Sequence, residues 1–344
     1  MTRRRLLPLL MTATMLLATC GGSGGDGGGD AGGEAGPTLT IYSGRSEELV
    51  RPVIEQFQDE TGIRVQVRYG ATAEMAGAIL EEGDNSPADV FFAQDAGALG
   101  ALSSEGRFAQ LPTGVLDQVD PQFRSVNGDW VGVSGRARVA VYNTAALNES
   151  ALPDSILGFT ADRWKGGKIG WAPTNGSFQA FVTALRVTEG EDGARAWLEG
   201  IQANEPKVYE NNIAIVEAAG AGEIQAGFVN HYYLHRVKAE NPDFPAANHL
   251  FPNGDVGSLV NVAGVGVLEG SDQPEEARQL VEFLLSEPAQ QYFSAETFEI
   301  PLVDGVAADP SLPPLETLQQ PDIDLAQLSD LEGTLRLLTE VGVI

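Results

Sequence analysis

Residues 39–69 read LTIYSGRSEELVRPVIEQFQDETGIRVQVRY, and the changes of period within them decide the fold. Leu39-Thr40-Ile41-Tyr42 is a short apolar strand closed by Ser43-Gly44. Residues 47–61 then carry Leu49, Val50, Val53, Ile54 and Phe57 at helical spacing. From Ile63 to Tyr69 the pattern switches to the two-residue alternation of a strand. The same sequence of events follows downstream. Residues 73–82 place Met75, Ala76, Ile79 and Leu80 on one helical face, residues 88–92 form an apolar strand, and residues 97–104 a short helix. This β-α-β-α-β order predicts a mostly parallel sheet covered by helices on both faces.

The pattern restarts further along. Strands are expected at 138–143 and 168–171, helices at 177–187 and 193–201, and a short extended piece at Val208-Tyr209. A helix at 213–219 leads into the apolar run 224–229. Residues 258–268 read as a long apolar strand, 273–286 as an amphipathic helix, and 325–338 as a last helix. Two lobes joined by two extended crossings, near 135–140 and near 258–264, fit this order. Lobe 1 is expected to comprise 38–137 plus 262–312, and lobe 2 to comprise 138–261 plus 313–344. A ligand then lies between strand ends and helix N-termini of both lobes, with closure as a hinge motion.

The first residues do not belong to that fold. Arg3-Arg4-Arg5 precedes an apolar stretch from Leu6 to Ala18, too short for a mature membrane span of ~20 residues. Residues 1–19 are read as a signal peptide ending in Leu17-Ala18-Thr19-Cys20, which resembles a bacterial lipobox. Cys20 is the single cysteine of the chain, so lipid attachment explains it better than redox chemistry, and no disulfide staples the domain. Residues 20–37 then form the lipidated cysteine and a Gly-rich tether. A Gly-x-Ser-x-Gly match at 21–25 has no flanking strand or helix and so is no nucleophile elbow. The expected location is the extracytoplasmic face of a membrane, held by a lipid anchor alone. A formal net charge of −27 argues against a nucleic-acid or anionic-membrane binder.

Chemistry concentrates in Asn230-His231-Tyr232-Tyr233, where the apolar run 224–229 ends. A strand end in an open α/β sheet is where a binding crevice begins. If the backbone leaves the strand there, both phenol oxygens can reach one ligand, and paired phenolates suit a hard cation such as Fe³⁺. The alternative is a half-buried aromatic pair. His231 and His235 are spaced i, i+4, but no third nitrogen or sulfur donor stands near, so they are read as surface or supporting groups. No phosphate-binding loop, dinucleotide fingerprint or nucleophile–base pair is present, and the chain is not expected to be an enzyme.

Six segments together resemble the ferric-ion-binding, bacterial-transferrin branch of the periplasmic solute-binding proteins of ABC importers. They are Ile41 to Arg45, Gly83 to Phe92, Ser134 to Val139, Trp164 to Gly170, Asn211-Asn212 and Asn230 to Tyr233, in the family's order. The resemblance implies a two-lobed periplasmic-binding-protein fold of type 2, with two mostly parallel sheets flanked by helices and the ligand cleft between lobes. It implies a monomer that takes Fe³⁺ as its transported ligand and delivers it to an ABC permease. The tandem tyrosines, Tyr232 and Tyr233, would be the metal ligands. Where one branch has a histidine this chain has Ser46, and where that branch has a glutamate it has Gln94. A third tyrosine of a second branch falls at Phe178. A synergistic anion, carbonate or phosphate, is therefore expected to complete the site. Arg45, Asn175, Gly176, Ser177, Asn212 and Asn230 match the anion-contacting positions, with Arg138 as a further contact. The second reading is a binding protein of the same fold for an oxyanion or organophosphonate, with the tyrosines lining its pocket.

Overall fold

The computed structural model describes residues 38–344. The signal, Cys20 and tether readings lie outside the described residues. The first half follows the expected order: β1 (Thr38–Ser43), α1 (Glu47–Thr61), β2 (Arg64–Tyr69), α2 (Thr72–Glu82), β3 (Val90–Ala93) and α3 (Ala96–Ser104). After the short α4 (Thr113–Leu116) comes β4 (Val131–Asn143), buried at every position. Then follow β5 (Ile169–Trp171), α5 (Gly176–Gln202), β6 (Lys207–Val208), α6 (Asn212–Gly220), β7 (Ala226–Asn230), α7 (Tyr232–Glu240) and β8 (Ala246–His249). The chain returns through β9 (Val260–Val267), α8 (Pro274–Leu284), α9 (Glu287–Glu296) and β10 (Ile300–Pro301), and ends on α10 (Leu331–Glu340).

The strands run in the order β2-β1-β3-β9-β4-β7-β5-β6. The repeating βα units give parallel pairs, β1 with β2 and β3, and β5 with β6 and β7. The strands between them, β4 and β9, run antiparallel to their neighbours. β4 changes partners midway. Val131 to Ala137 pair with β9, whereas Arg138 to Tyr142 pair with β7. The switch at Ala137/Arg138 lies inside the expected first crossing. β9 already pairs with β4 from Val260 onward.

Local chemistry explains the elements. α1 buries Val50, Val53, Ile54 and Phe57, and stops at Gly62, whose left-handed backbone (φ 73°) lets its N–H return to the Gln58 carbonyl. β2 alternates exposed and half-buried residues because it is an edge strand. The two helices expected at 177–187 and 193–201 are one element, α5, kinked at Gly190 (φ 76°), a conformation that favours glycine. The expected last helix is instead a 3₁₀ turn, Leu325–Ser329, followed by α10. Beneath α5 the aromatic rings of Phe159, Trp164, Trp171, Phe178, Phe181, Trp197 and Phe228 pack at centroid distances of 4.6 to 6.4 Å. Truncating one such ring costs about 3–5 kcal/mol, which makes this cluster a rigid base for the start of α5.

Candidate functional site

β7 ends at Asn230, opposite Arg138 of β4. His231 adopts helical backbone angles, and α7 starts at Tyr232. Three bonds pin this corner. The His231 amide donates to the Ala137 carbonyl (2.9 Å), its Nδ1 accepts from the Ala137 amide (3.1 Å), and Asn248 Nδ2 donates to the His231 carbonyl (2.9 Å). Burial, with His235 adding, holds the His231 imidazolium down to about 3, so this ring is neutral and structural. The two tyrosines that follow sit on the first helical turn with rings stacked, centroids 4.2 Å apart and 29° between planes. Tyr232 is buried and Tyr233 half-buried. Burial, with Tyr233 adding, pushes the Tyr232 phenol well above its ordinary value.

Three buried arginines surround this pair. Arg45, from the β1–α1 turn, donates from Nη2 to Oε1 of Glu299 at 2.7 Å, with both side chains essentially inaccessible. Glu299 Oε2 accepts from the Ser134 hydroxyl at 2.6 Å. Burial works against the Arg45 charge, but Glu299 and the two phenols outweigh it and raise its affinity for the proton. Arg138 is placed differently. Its Nη1 donates to Asn230 Oδ1 (3.1 Å) and Ser177 Oγ (3.3 Å), both neutral acceptors. Burial lowers it to about 9 although both phenols favour its charge, and Arg136 pushes the same way as burial. Arg136 is 2% exposed, and its Nε and Nη1 have no hydrogen-bond partner.

The start of α5 adds neutral donors and acceptors. Asn175 is its N-cap: Oδ1 accepts from the Ser177 amide (3.0 Å), the Ser177 hydroxyl (2.6 Å) and Asn212 Nδ2 (3.0 Å). Asn212 Nδ2 also approaches Ser177 Oγ (3.2 Å). Arg138, Asn230, Ser177, Asn175 and Asn212 are thus one connected network. It borders a cavity of about 500 Å³ whose wall includes Arg136, Arg138, Asn230, Gly176, Ser177 and Asp95. The tyrosines are not in that wall; they adjoin it through Asn230 and Arg138.

The structure therefore brings together most of the residues singled out in the sequence. Gln94 also lines the cavity. Ser46 and Phe178 do not join it. Ser46 is exposed at the N-cap of α1. Phe178 is 1% exposed and packs on Trp171 and Phe181, so the position matched to a third tyrosine is aromatic core. Arg45 is buried against Glu299 rather than standing as an open loop fork. Sequence reasoning passed over Glu299 and Arg136. The signal for Glu299 is a lone carboxylate leading into the apolar Ile300-Pro301, and that for Arg136 is its i, i+2 relation to Arg138. Phe298, just before Glu299, has φ 57°, strained for a bulky residue, and its ring stacks on His235. Among the described residues, no group of three or more His, Cys, Asp or Glu side chains could hold a metal ion.

Comparison with known proteins agrees with this architecture. A family model described as bacterial extracellular solute-binding protein matches residues 53–318. The Fe(3+)-binding periplasmic protein of Serratia marcescens is 33% identical over 311 residues, covering 89% of this chain and 90% of that protein. The crystal structure of iron-bound HitA from Pseudomonas aeruginosa superposes with a TM-score of 0.84 at 36% identity, over 89% of this chain and 100% of that one. A Trichodesmium protein in complex with iron and citrate superposes with a TM-score of 0.78 at 28% identity, over 89% and 99%.

Proposed function

The chain belongs to the family of bacterial extracellular solute-binding proteins, and from that premise we propose that it captures ferric iron outside the cytoplasm and delivers it to an ABC permease. The observation that carries this reading is the stacked pair Tyr232–Tyr233, 4.2 Å apart at a strand-to-helix corner and ringed by buried arginines. The phenols release their protons to solvent as the ferric ion binds, because a trivalent charge at the oxygen favours phenolate far more than any protein dipole. Two phenolates leave the metal's remaining positions to a synergistic anion, carbonate or phosphate. Arg138, Asn230, Ser177 and the capped start of α5 offer it charge, hydroxyl, amide and backbone donors.

The partner change within β4 and the start of β9 support a division into two lobes. One holds residues 38–137 with 262–312 and the other 138–261 with 313–344, the cleft opening by a hinge at both crossings. We read the protein as a monomeric binding protein without catalysis, exported and anchored through a lipidated Cys20.

The test is optical. Ferric ion plus bicarbonate should give a visible phenolate-to-iron charge-transfer band, absent in the Tyr232→Phe, Tyr233→Phe double variant. An unchanged band and iron affinity in that variant sinks the ferric reading. The uncompensated charge of Arg138 favours a second reading, a binding protein for an oxyanion or organophosphonate. A protein that stays colourless with ferric citrate but is thermally stabilised by phosphate or a phosphonate decides for it.

A further inference from the structure

Among the described residues, three other than glycine have a left-handed backbone: Glu205, Asn253 and Phe298. Asparagine tolerates that region, and Glu205 is an exposed polar residue. Phe298, at φ 57°, is the bulky apolar one. It follows the end of α9, where a left-handed residue is usually glycine because a side chain there crowds the backbone. The chain obeys that rule at Gly62 after α1 (φ 73°). Both neighbours of residue 298 are fixed. The Thr297 hydroxyl and the Glu299 amide donate to the Phe293 carbonyl at 2.6 and 3.0 Å. Glu299 then meets Arg45 and Ser134 in the interior, just ahead of β10. These bonds hold the backbone left-handed, yet none of them uses the phenylalanine ring.

The ring faces the tyrosine helix. Phe298 stacks on His235 of α7, with centroids 6.0 Å apart and 21° between planes. His235 meets His231 at 5.9 Å, one turn earlier on the same helix face. His231 meets Tyr232 edge-on at 5.9 Å, and Tyr232 stacks on Tyr233 at 4.2 Å. Phe298, His235, His231, Tyr232 and Tyr233 thus form an unbroken run of rings from the α9–β10 junction to the phenols. Contiguous packed side chains of this kind can carry position from one site to another. Other supports of the first turn are few. No side chain caps α7. Arg236 reaches Glu48 of α1 at 3.6 Å, but that pair is exposed and screened, so it adds little. Leu234 seats the helix on the core of its own sheet. The Phe298 ring bears on it from the other lobe.

We propose that Phe298 is a positioning residue for metal capture: its ring buttresses α7 from the opposite lobe and so sets where the Tyr232 and Tyr233 phenols stand. This rests on the reading of the tyrosine pair as the ferric site. Phe298 acts through His235 and is not itself a ligand. That role explains a bulky residue at a place suited to glycine. The ring is needed where only a left-handed backbone delivers it.

The experiment compares Phe298→Ala, Phe298→Gly and Phe298→Tyr with the parent. The first readout is the NMR spectrum of metal-free protein carrying isotope-labelled tyrosine, with Tyr232 and Tyr233 assigned from their phenylalanine variants. Phe298 stacks on neither tyrosine ring, so movement of those signals reports a shift of α7. Both signals should move in Phe298→Ala and Phe298→Gly. They should stay in place in Phe298→Tyr, which keeps the ring and adds one signal of its own. The second readout is iron affinity in bicarbonate against a competing chelator. It should fall by about 10–100-fold in the alanine and glycine variants, as when a group supporting a metal ligand is lost, and be kept in Phe298→Tyr. Glycine separates backbone from ring. Phe298→Gly relieves the left-handed strain, so it should melt above Phe298→Ala yet share its loss of affinity, and it serves should the alanine variant fail to fold. Tyr232 and Tyr233 signals unmoved in the glycine variant overturn the inference, as does iron held by that variant as tightly as by an iron-binding parent. A parent that gives no ferric band fails the ferric reading alone, because the metal-free signals still decide whether Phe298 sets the phenols.

Discussion

Arg45 and Glu299 lie 254 positions apart in sequence and meet at 2.7 Å in the interior, each essentially inaccessible to water. Removing one charge leaves the other buried and bare, at a cost of about 3–5 kcal/mol. Glu299→Ala is expected to lower the urea midpoint accordingly. The Arg45→Met, Glu299→Leu double variant should recover most of the loss, because a hydrophobic pair of similar volume is often neutral. Equal losses in the single and double variants would refute the pairing as the source of the effect.

Ferric binding should release protons. The Tyr232 phenol is held above its ordinary value by burial, so it is protonated in the empty protein near neutral pH. Each tyrosine that becomes a ligand gives up one proton, about two in all. Calorimetry in buffers of different ionisation enthalpy measures the number. Uptake must weaken as the pH falls, and a proton count near zero contradicts ligation by both phenols.

Asn175 joins the helix start to the cleft. Asn175→Ala removes a cap and leaves Ser177 and Asn212 without their shared acceptor. A loss of about 1–2 kcal/mol in thermal unfolding is expected. Iron retention should also become less responsive to added carbonate or phosphate, which competitive dialysis with a chelator checks.

At the far end of the chain, Asp330 caps α10. Its carboxylate accepts from the Gly333 amide (3.0 Å) and pairs with Arg186 at 2.8 Å, and the hydrogen bond from Arg186 holds its pKa below the usual aspartate value. A depressed folded value means the contribution is fully present above the unfolded value and is lost as pH falls through the folded one. Asparagine caps a helix as well as aspartate, so thermal melts of Asp330→Asn should lie below the parent at neutral pH only by the lost pairing with Arg186, about 0.2–1 kcal/mol. The two curves should converge in acid. Parallel curves down to the lowest pH would exclude the linkage.

Much of this molecule follows from its sequence. The strand and helix periods between residues 39 and 104 impose the βα order, since a period-two run cannot bury its apolar face as a helix nor the 3.6 pattern as a strand. The corner at Asn230 to Tyr233 was legible for the same reason: an apolar run ends there, so the backbone must turn. The capped helix start at Asn175 follows from side-chain chemistry alone. What sequence could not fix is which charges remain unpaid by partners. Arg45 and Arg138 both read as arginines facing an anion, but Arg45 is met by a carboxylate from residue 299 and Arg138 by neutral groups. Phe178 read as a site position but lies in the core, because Trp171 of β5 meets its ring edge-on and Phe181 and Trp197, brought round by the same helix α5, pack against it. Periodicity is a local property and is written in the chain. Charge compensation and burial depend on contacts between residues far apart in sequence, so only the tertiary structure decides them.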